Sequence, residues 1–199
     1  MSNERRRVGI AHHPCYMTGL RRYGYPPALL IFVTLMLSAC GQTPPVDALR
    51  EGQLFPPLHL TGLDRDDIDI DDLRGSWIVL NVWATWCGPC REELASLQQL
   101  DRTLADQPLM VIGLNVDSDR HIAREFLLDQ SITFANFSDP EMFIAKQLLG
   151  IRAFPDTFII APDGTLWRSI SGERDWASPG IREILLRAIA GQVDVLQTL

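Results

Sequence analysis

The sequence predicts an α/β domain built on a central mixed β-sheet with helices on both faces. Apolar, β-branched runs of strand length alternate with segments whose leucines recur at three- and four-residue steps. Towards the C-terminus the alternation gives way to two short strands around Pro162-Asp163-Gly164 and a last helical segment. Alternating strands and helices followed by a hairpin require a sheet with both parallel and antiparallel pairs. The chain has 199 residues, 46% hydrophobic and 22% charged. That suits one core-forming domain plus a leader, and excludes a disordered or collagen-like chain.

Taken in order, the chain opens with a leader over residues 1–39. Ala28 to Leu37 is apolar except for Thr34, follows Arg21-Arg22 and precedes small residues, the pattern of a secretory signal. The run is too short to span a bilayer, which needs about 20 apolar residues. Met17 gives a leader of more usual length than Met1, and a start there removes Cys15 from the protein. Leu37-Ser38-Ala39-Cys40-Gly41 resembles a bacterial lipobox. The resemblance implies that Cys40 is lipidated and becomes the first mature residue, holding the domain to a membrane by its acyl chains. The alternative is an ordinary cleaved signal with an incidental Cys. Residues 40–53, polar and containing Pro44-Pro45, read as a spacer, and residues 54–199 as the folded domain.

Within the domain, Pro56 to Gly75 carries an acidic run with Ile68 and Ile70 alternating through it, a short exposed strand or hairpin arm. Trp77 to Trp83 reads as a strand buried on both faces. A helix follows from Pro89 to about Ala105, with Leu94, Leu97, Leu100 and Leu104 on one face and Pro89 tolerated in its first turn. Leu109 to Val116 is a second buried strand, Arg120 to Gln130 a helix, Ile132 to Phe137 a short strand, and Pro140 to Leu149 a helix ended by Gly150. Thr157 to Ala161 and Leu166 to Gly172 form the hairpin, and Ile181 to Ala190 the closing helix.

Five Arg and one Glu in the first 39 residues leave 13 basic against 24 acidic side chains from Cys40 onward, a net of −11. That charge repels phosphate backbones, so nucleic acid is not a partner. Of four cysteines only Cys87 and Cys90 fall in the domain. An exported domain using disulfides structurally carries several pairs, so a single Cys-x-x-Cys points to catalysis or metal. With only His59 and His121 in the mature chain, a four-ligand zinc site is not expected. Arg91 stands where c-type haem attachment needs His.

A strand that delivers Cys87 to the tip of a helix sets its sulfur beside unpaired N–H groups and the positive end of the helix dipole. Both lower a thiol pKa from about 8.5 towards 7 or below. Cys87 is therefore the attacking sulfur, and Cys90, one turn further in, the resolving one.

The run Asn81-Val82-Trp83-Ala84-Thr85-Trp86-Cys87-Gly88-Pro89-Cys90-Arg91-Glu92-Glu93 resembles the TlpA/ResA-like branch of the thioredoxin superfamily, in its bacterial lipoprotein form. Gly150 to Ile160, with Phe154-Pro155-Asp156-Thr157, followed by Asp163-Gly164, is similar to that family's cis-proline loop and hairpin. The likeness covers roughly Leu54 to Ala190. It implies a thioredoxin fold with a cis Pro155 opposite the cysteines, where backbone groups pair with an extended substrate. The 64 residues between Cys90 and Pro155 leave room for that branch's extra strand-helix insertion, placed between about Asp117 and Ala145.

Thioredoxins carry a buried Asp where this chain has Asn81, so another group must handle the proton of Cys90. Glu93 matches an acidic residue of the ResA-like branch and lies on the same helical face. It is either that group or a solvated first-turn Glu held by the helix dipole. Ala95 replaces a Pro of many relatives, which predicts a straighter helix. Trp86 either flanks the substrate or packs in the core, Trp83 packs, and His121 is on the surface.

The function expected is an extracytoplasmic thiol-disulfide oxidoreductase that reduces disulfides of particular proteins, for example in cytochrome c maturation. Catalysis falls to Cys87, Cys90 and Glu93, and substrate contact to Trp86, Gly88, Pro89, Phe154 and Pro155. No cofactor beyond the redox-active Cys87–Cys90 disulfide and no metal is expected. The partners expected are disulfide-bearing proteins, a membrane thiol-disulfide electron donor, and the membrane itself through Cys40. The setting implied is the periplasmic side of a bacterial envelope, with Gly41 a hint towards the outer membrane. The alternatives are a disulfide oxidant or isomerase and a redox-inert binding lipoprotein. A peroxidase is disfavoured because no lone Cys sits in a Thr-x-x-Cys setting.

Overall fold

The computed structural model describes residues 49–199. The leader, Met17, Cys15 and the lipidation candidate Cys40 lie outside the described residues. Folding begins ahead of Leu54: Gly52 N–H donates to Leu166 O and Gln53 O accepts from Leu166 N–H.

Three parallel strands form the middle of the sheet: β3 (Trp77–Trp83), β4 (Leu109–Asn115) and β5 (Ala135–Ser138). The hairpin β6 (Asp156–Ile160) and β7 (Leu166–Ser171) adds antiparallel to β3. The acidic arm forms β1 (His59–Gly62) and β2 (Ile68–Asp69), antiparallel to each other, with β1 also antiparallel to β5. The order across the sheet is β2-β1-β5-β4-β3-β6-β7. All seven residues of β3 are buried, as its apolar character, broken only by Asn81, requires of a central strand.

Helix α1 (Gly88–Thr103) runs without interruption through Ala95 and buries Leu94, Leu97 and Leu100. Each such side chain removed from water stabilises the fold by about 1.5–3 kcal/mol. Helix α2 (Arg120–Asp129) starts where the Asp119 carboxylate accepts from His121 N–H, leaving the His121 side chain exposed. Helix α3 (Pro179–Ile189) is capped by Ser178.

Asn81 and Trp83 share one face of β3. Glu93 of α1 bonds to Asn81, Phe126 of α2 meets Trp83 at a tilt of 42°, and Ile181 and Ile184 of α3 line a cleft with Ile170 of that face. The other face, with Ile78, Phe158 and Ile160, meets Phe55 and the 3-10 turn Ile70–Leu73. Gly113 permits a close approach in the middle of the sheet. A Cβ there would fall 2.0 Å from Asn136 Oδ1 and 2.9 Å from Trp83 Nε1, the two ends of a buried hydrogen bond.

Two elements are shorter than their periodicity predicts. The strand expected over Ile132 to Phe137 begins only at Ala135, because Ile132 N–H donates to Leu127 O and Thr133 N–H to Gln98 Oε1 of α1. The helix expected from Pro140 to Leu149 is a π-helical turn over Phe143–Leu148. The Asp139 carboxylate takes Ala145 N–H at 2.8 Å, and Met142 enters with φ 55°, so an ordinary first turn cannot form. Gly150, at φ 69°, does end it. A closing 3-10 segment, Val193–Thr198, has no counterpart in the sequence pattern.

Candidate active site

β3 ends at Trp83, and the chain turns through Ala84-Thr85-Trp86 so that Cys87 N–H reaches Ala84 O at 3.2 Å. Cys87 is the N-cap of α1, in extended conformation, and its sulfur accepts from Cys90 N–H at 3.2 Å. Gly88 and Pro89 fill the first helical positions, where proline costs no hydrogen bond. Cys87 and Cys90 are joined as a disulfide. Cys90 is wholly buried and Cys87 retains 7% exposure, so an incoming group meets Cys87 first.

Two aromatic rings stand beside the disulfide. Trp86 is 60% exposed, which settles it as a surface residue, and it meets Phe154 edge-on at 5.7 Å between centroids. The Phe154–Pro155 peptide is cis, and Pro155 O accepts from Gly172 N–H at 2.9 Å. On the opposite side, Gly88, Arg91 and Glu92 line a cleft of about 310 Å³ with Phe126 and Gln130 of α2. Trp83 is fully buried and donates to Asn136, a packing residue as expected.

Glu93 is 1% exposed, and the solvated alternative is corrected by its packing against β3 and the loop after β7. Its Oε2 accepts from Asn81 Nδ2 at 2.8 Å. Its Oε1 accepts from Trp176 Nε1 at 2.5 Å and from Arg174 N–H at 3.3 Å. Burial pushes the Glu93 carboxyl above its ordinary value, against those three hydrogen bonds, with the nearby charge of Glu173 adding to the rise. Asn81 also donates to Thr157 Oγ1, while its own Oδ1 is buried without a hydrogen-bond partner.

A second buried carboxyl follows Pro155. Asp156 pairs with Val82 and Ser171, so it lies on the face of the sheet opposite Asn81 and Glu93. Burial pushes it up to about 6, although Ser171 and the Thr157 N–H hydrogen-bond to it. Its Oδ1 has no partner. The sequence signal for Asp156 is a charge at the start of a buried strand, next to Pro155. Trp176 carries no local signal, because only the tertiary fold brings the loop after β7 to α1.

Thus Trp86, Cys87, Gly88, Pro89, Cys90, Phe154 and Pro155 are gathered at one end of β3 and β6, with Glu93 one helical turn inside. Among the described residues, no group of three or more His, Cys, Asp or Glu side chains is placed to hold a metal ion.

The family model for the AhpC/TSA family matches residues 52–169. The chain is similar to the thiol-disulfide oxidoreductase ResA of Oceanobacillus iheyensis, 27% identical over 127 residues, 62% of this chain and 66% of that one. Among solved structures it is similar to a DsbE-type thiol:disulfide interchange protein from Chlorobium tepidum. There the identity is 27% over 73% of this chain and 99% of the other, with a TM-score of 0.63. A secreted thiol-disulfide isomerase from Corynebacterium glutamicum is 26% identical over 71% of this chain and 86% of its own, with a TM-score of 0.59. The site geometry and these likenesses agree: the chain belongs to the AhpC/TSA family and is a ResA-like member of the thioredoxin-fold thiol-disulfide oxidoreductases.

Proposed function

We propose that the chain is a lipid-anchored, extracytoplasmic reductant of protein disulfides. The observation that carries this reading is the asymmetry of the Cys-Gly-Pro-Cys pair, one sulfur at the surface end of α1 and the other wholly buried behind it. In the reduced protein the Cys87 thiolate attacks a substrate disulfide, forming a mixed disulfide and releasing one substrate thiolate, which takes up a proton. Cys90 gives up its proton, and its sulfur then attacks Cys87 Sγ. The second substrate sulfur leaves, and two electrons have passed to the substrate as the Cys87–Cys90 disulfide closes. Glu93 is the group assigned to take the Cys90 proton, being buried one turn further along α1 and raised in pKa. Trp86 and Phe154 flank the substrate chain, and Gly88, Pro89 and Pro155 leave room for its backbone. No cofactor besides the dithiol is invoked.

The leader and the lipobox-like Cys40 support a site on the periplasmic face of an envelope membrane, where a membrane thiol-disulfide donor re-reduces the pair. Apocytochrome c cysteines are one class of substrate this reading admits. The isomerase named for the Corynebacterium protein favours, as a second reading, an oxidant or isomerase. Equilibration of the chain with thiol-disulfide buffers decides between them. A potential near or below about −250 mV supports the reductant, and one above about −150 mV replaces it with the oxidant. A pair that does not titrate reversibly leaves a redox-inert binding protein.

A further inference from the structure

The loop that presents Cys87 is held from outside by one carboxylate. Asp117 follows the end of β4 and is 4% exposed. Its Oδ2 accepts from the Thr85 backbone N–H at 2.9 Å, and its Oδ1 accepts from the Thr85 hydroxyl at 2.9 Å. Asn115 fixes the clamp from the other side. Its Nδ2 donates to Asp117 Oδ2 at 2.6 Å, and its Oδ1 accepts from Asp117 N–H at 3.1 Å. Val116 N–H to Trp83 O, at 3.0 Å, ties the same two segments one step earlier.

We propose that Asp117 is a positioning residue of the exchange reaction, clamping Thr85 so that the loop Ala84–Trp86 holds the Cys87 sulfur against the N-terminus of α1. The sulfur gains its thiolate character from donors such as Cys90 N–H, and a hydrogen bond of that kind weakens steeply as its angle and length drift. Two bonds to Thr85, two residues before Cys87, remove the freedom by which that drift would occur. The clamp also gives the insertion a task. The segment bearing Asp117 leads into α2, whose Phe126 packs at a tilt against Trp83, and β5 supplies Asn136 to the Trp83 indole. The part of the chain that exceeds a minimal thioredoxin braces the nucleophile loop at Thr85 through Asp117, and the strand residue just before it, Trp83, through Phe126 and Asn136.

The test is the pH profile of Cys87 alkylation by iodoacetamide in the reduced full chain, together with the pair's potential, in Asp117→Ala, Thr85→Val, Thr85→Ser and the double variant Asp117→Ala/Thr85→Val. The other charged groups near the site are Arg91, Glu92 and Glu93 on α1, Asp156 beside Pro155, Arg152, and Glu173 and Arg174 after β7. They stay in place in every variant, so their influence cancels. Asp117→Ala is expected to slow alkylation at pH 7 about tenfold by raising the Cys87 pKa, and to lower the potential by the matching 30 mV or so. Thr85→Val should show part of that loss, Thr85→Ser should restore wild-type behaviour, and the double variant should be no slower than Asp117→Ala.

A folded Asp117→Ala with the wild-type profile overturns the proposal, as does a double variant in which the two losses multiply. A Cys87 pKa that falls instead means that the carboxylate acts as a charge and not as a clamp. Where Asp117→Ala does not fold, Thr85→Val against Thr85→Ser decides, since both keep the Asp117 carboxylate and differ in the hydroxyl. A wild-type chain with no reactive Cys87 would contradict the oxidoreductase reading itself, a result separate from these.

Discussion

Replacing Asp156 with Asn should stabilise the protein more and more as pH rises. The carboxyl titrates near 6 in the fold and near its ordinary 3.8 in the unfolded chain, because burial disfavours its charge. Below the lower value both states hold the proton and the group has no pH-dependent effect. Between the two values the native state binds more protons than the unfolded one, so stability falls as pH rises, and above the upper value the loss is complete. At 1.36 kcal/mol for each pH unit between them, the ionised side chain weakens the fold by up to about 3 kcal/mol at pH 7 and above. Asparagine cannot ionise and escapes that loss. Urea denaturation of the oxidised wild type and Asp156→Asn, taken from pH 4 to pH 8, reads it directly. The difference in unfolding free energy is expected to grow by about 2–3 kcal/mol in favour of the variant across that range. A difference that is constant with pH would show that the wild-type carboxyl titrates alike in the folded and unfolded chain, and that its burial has no energetic consequence.

Glu93→Gln keeps the hydrogen-bond acceptor for Trp176, turns an amide NH2 towards Asn81 and removes the proton carrier, and should slow turnover by about 100-fold or more. An unchanged pH–rate profile would remove Glu93 from the chemistry. Cys90→Ser should accumulate a mixed disulfide through Cys87 when mixed with a disulfide-bearing protein, and Cys87→Ser should accumulate none, as non-reducing electrophoresis would show. Gly113→Ala drives a methyl group into the Trp83–Asn136 hydrogen bond and should destabilise the fold by about 1–3 kcal/mol in denaturant titration.

Much of this molecule is legible in its sequence, for physical reasons that also mark where legibility stops. Trp77–Trp83 could be bounded to the residue because an apolar run that long has no amphipathic alternative, and Cys-Gly-Pro-Cys fixed where the helix after it begins. Ile132–Phe134 read as strand on side-chain character alone. The N–H groups of Ile132 and Thr133 are instead taken by Leu127 and Gln98, contacts invisible until α1 and α2 pack. The helix predicted over Pro140–Leu149 failed for a similar reason, since Asp139 competes for a backbone donor that a helix would use. Around the dithiol, residues carried by a motif are legible, Phe154 and Pro155 among them, and those joined only by the fold are not. Trp176 lies 83 positions from Glu93, and Asp117 lies 32 from Thr85. Neither belongs to a pattern that local spacing can reveal.

The stretch before β1 has a consequence of its own. β7 is the last strand of the sheet, and a bare last strand exposes a row of hydrogen-bonding groups to any passing chain. Here the first part of that row is occupied: Gly52 and Gln53 bond to Leu166, Leu54 bridges Thr165, and the Glu51 carboxylate takes Ser169 N–H and pairs with Arg168. At the far border β2 ends the sheet after two residues, one of them Asp69. Among the described residues both borders leave only a short run of backbone on which another copy could add a strand. Copies crowded together on a surface would therefore meet through side chains and resist growing into a shared, self-extending β-aggregate.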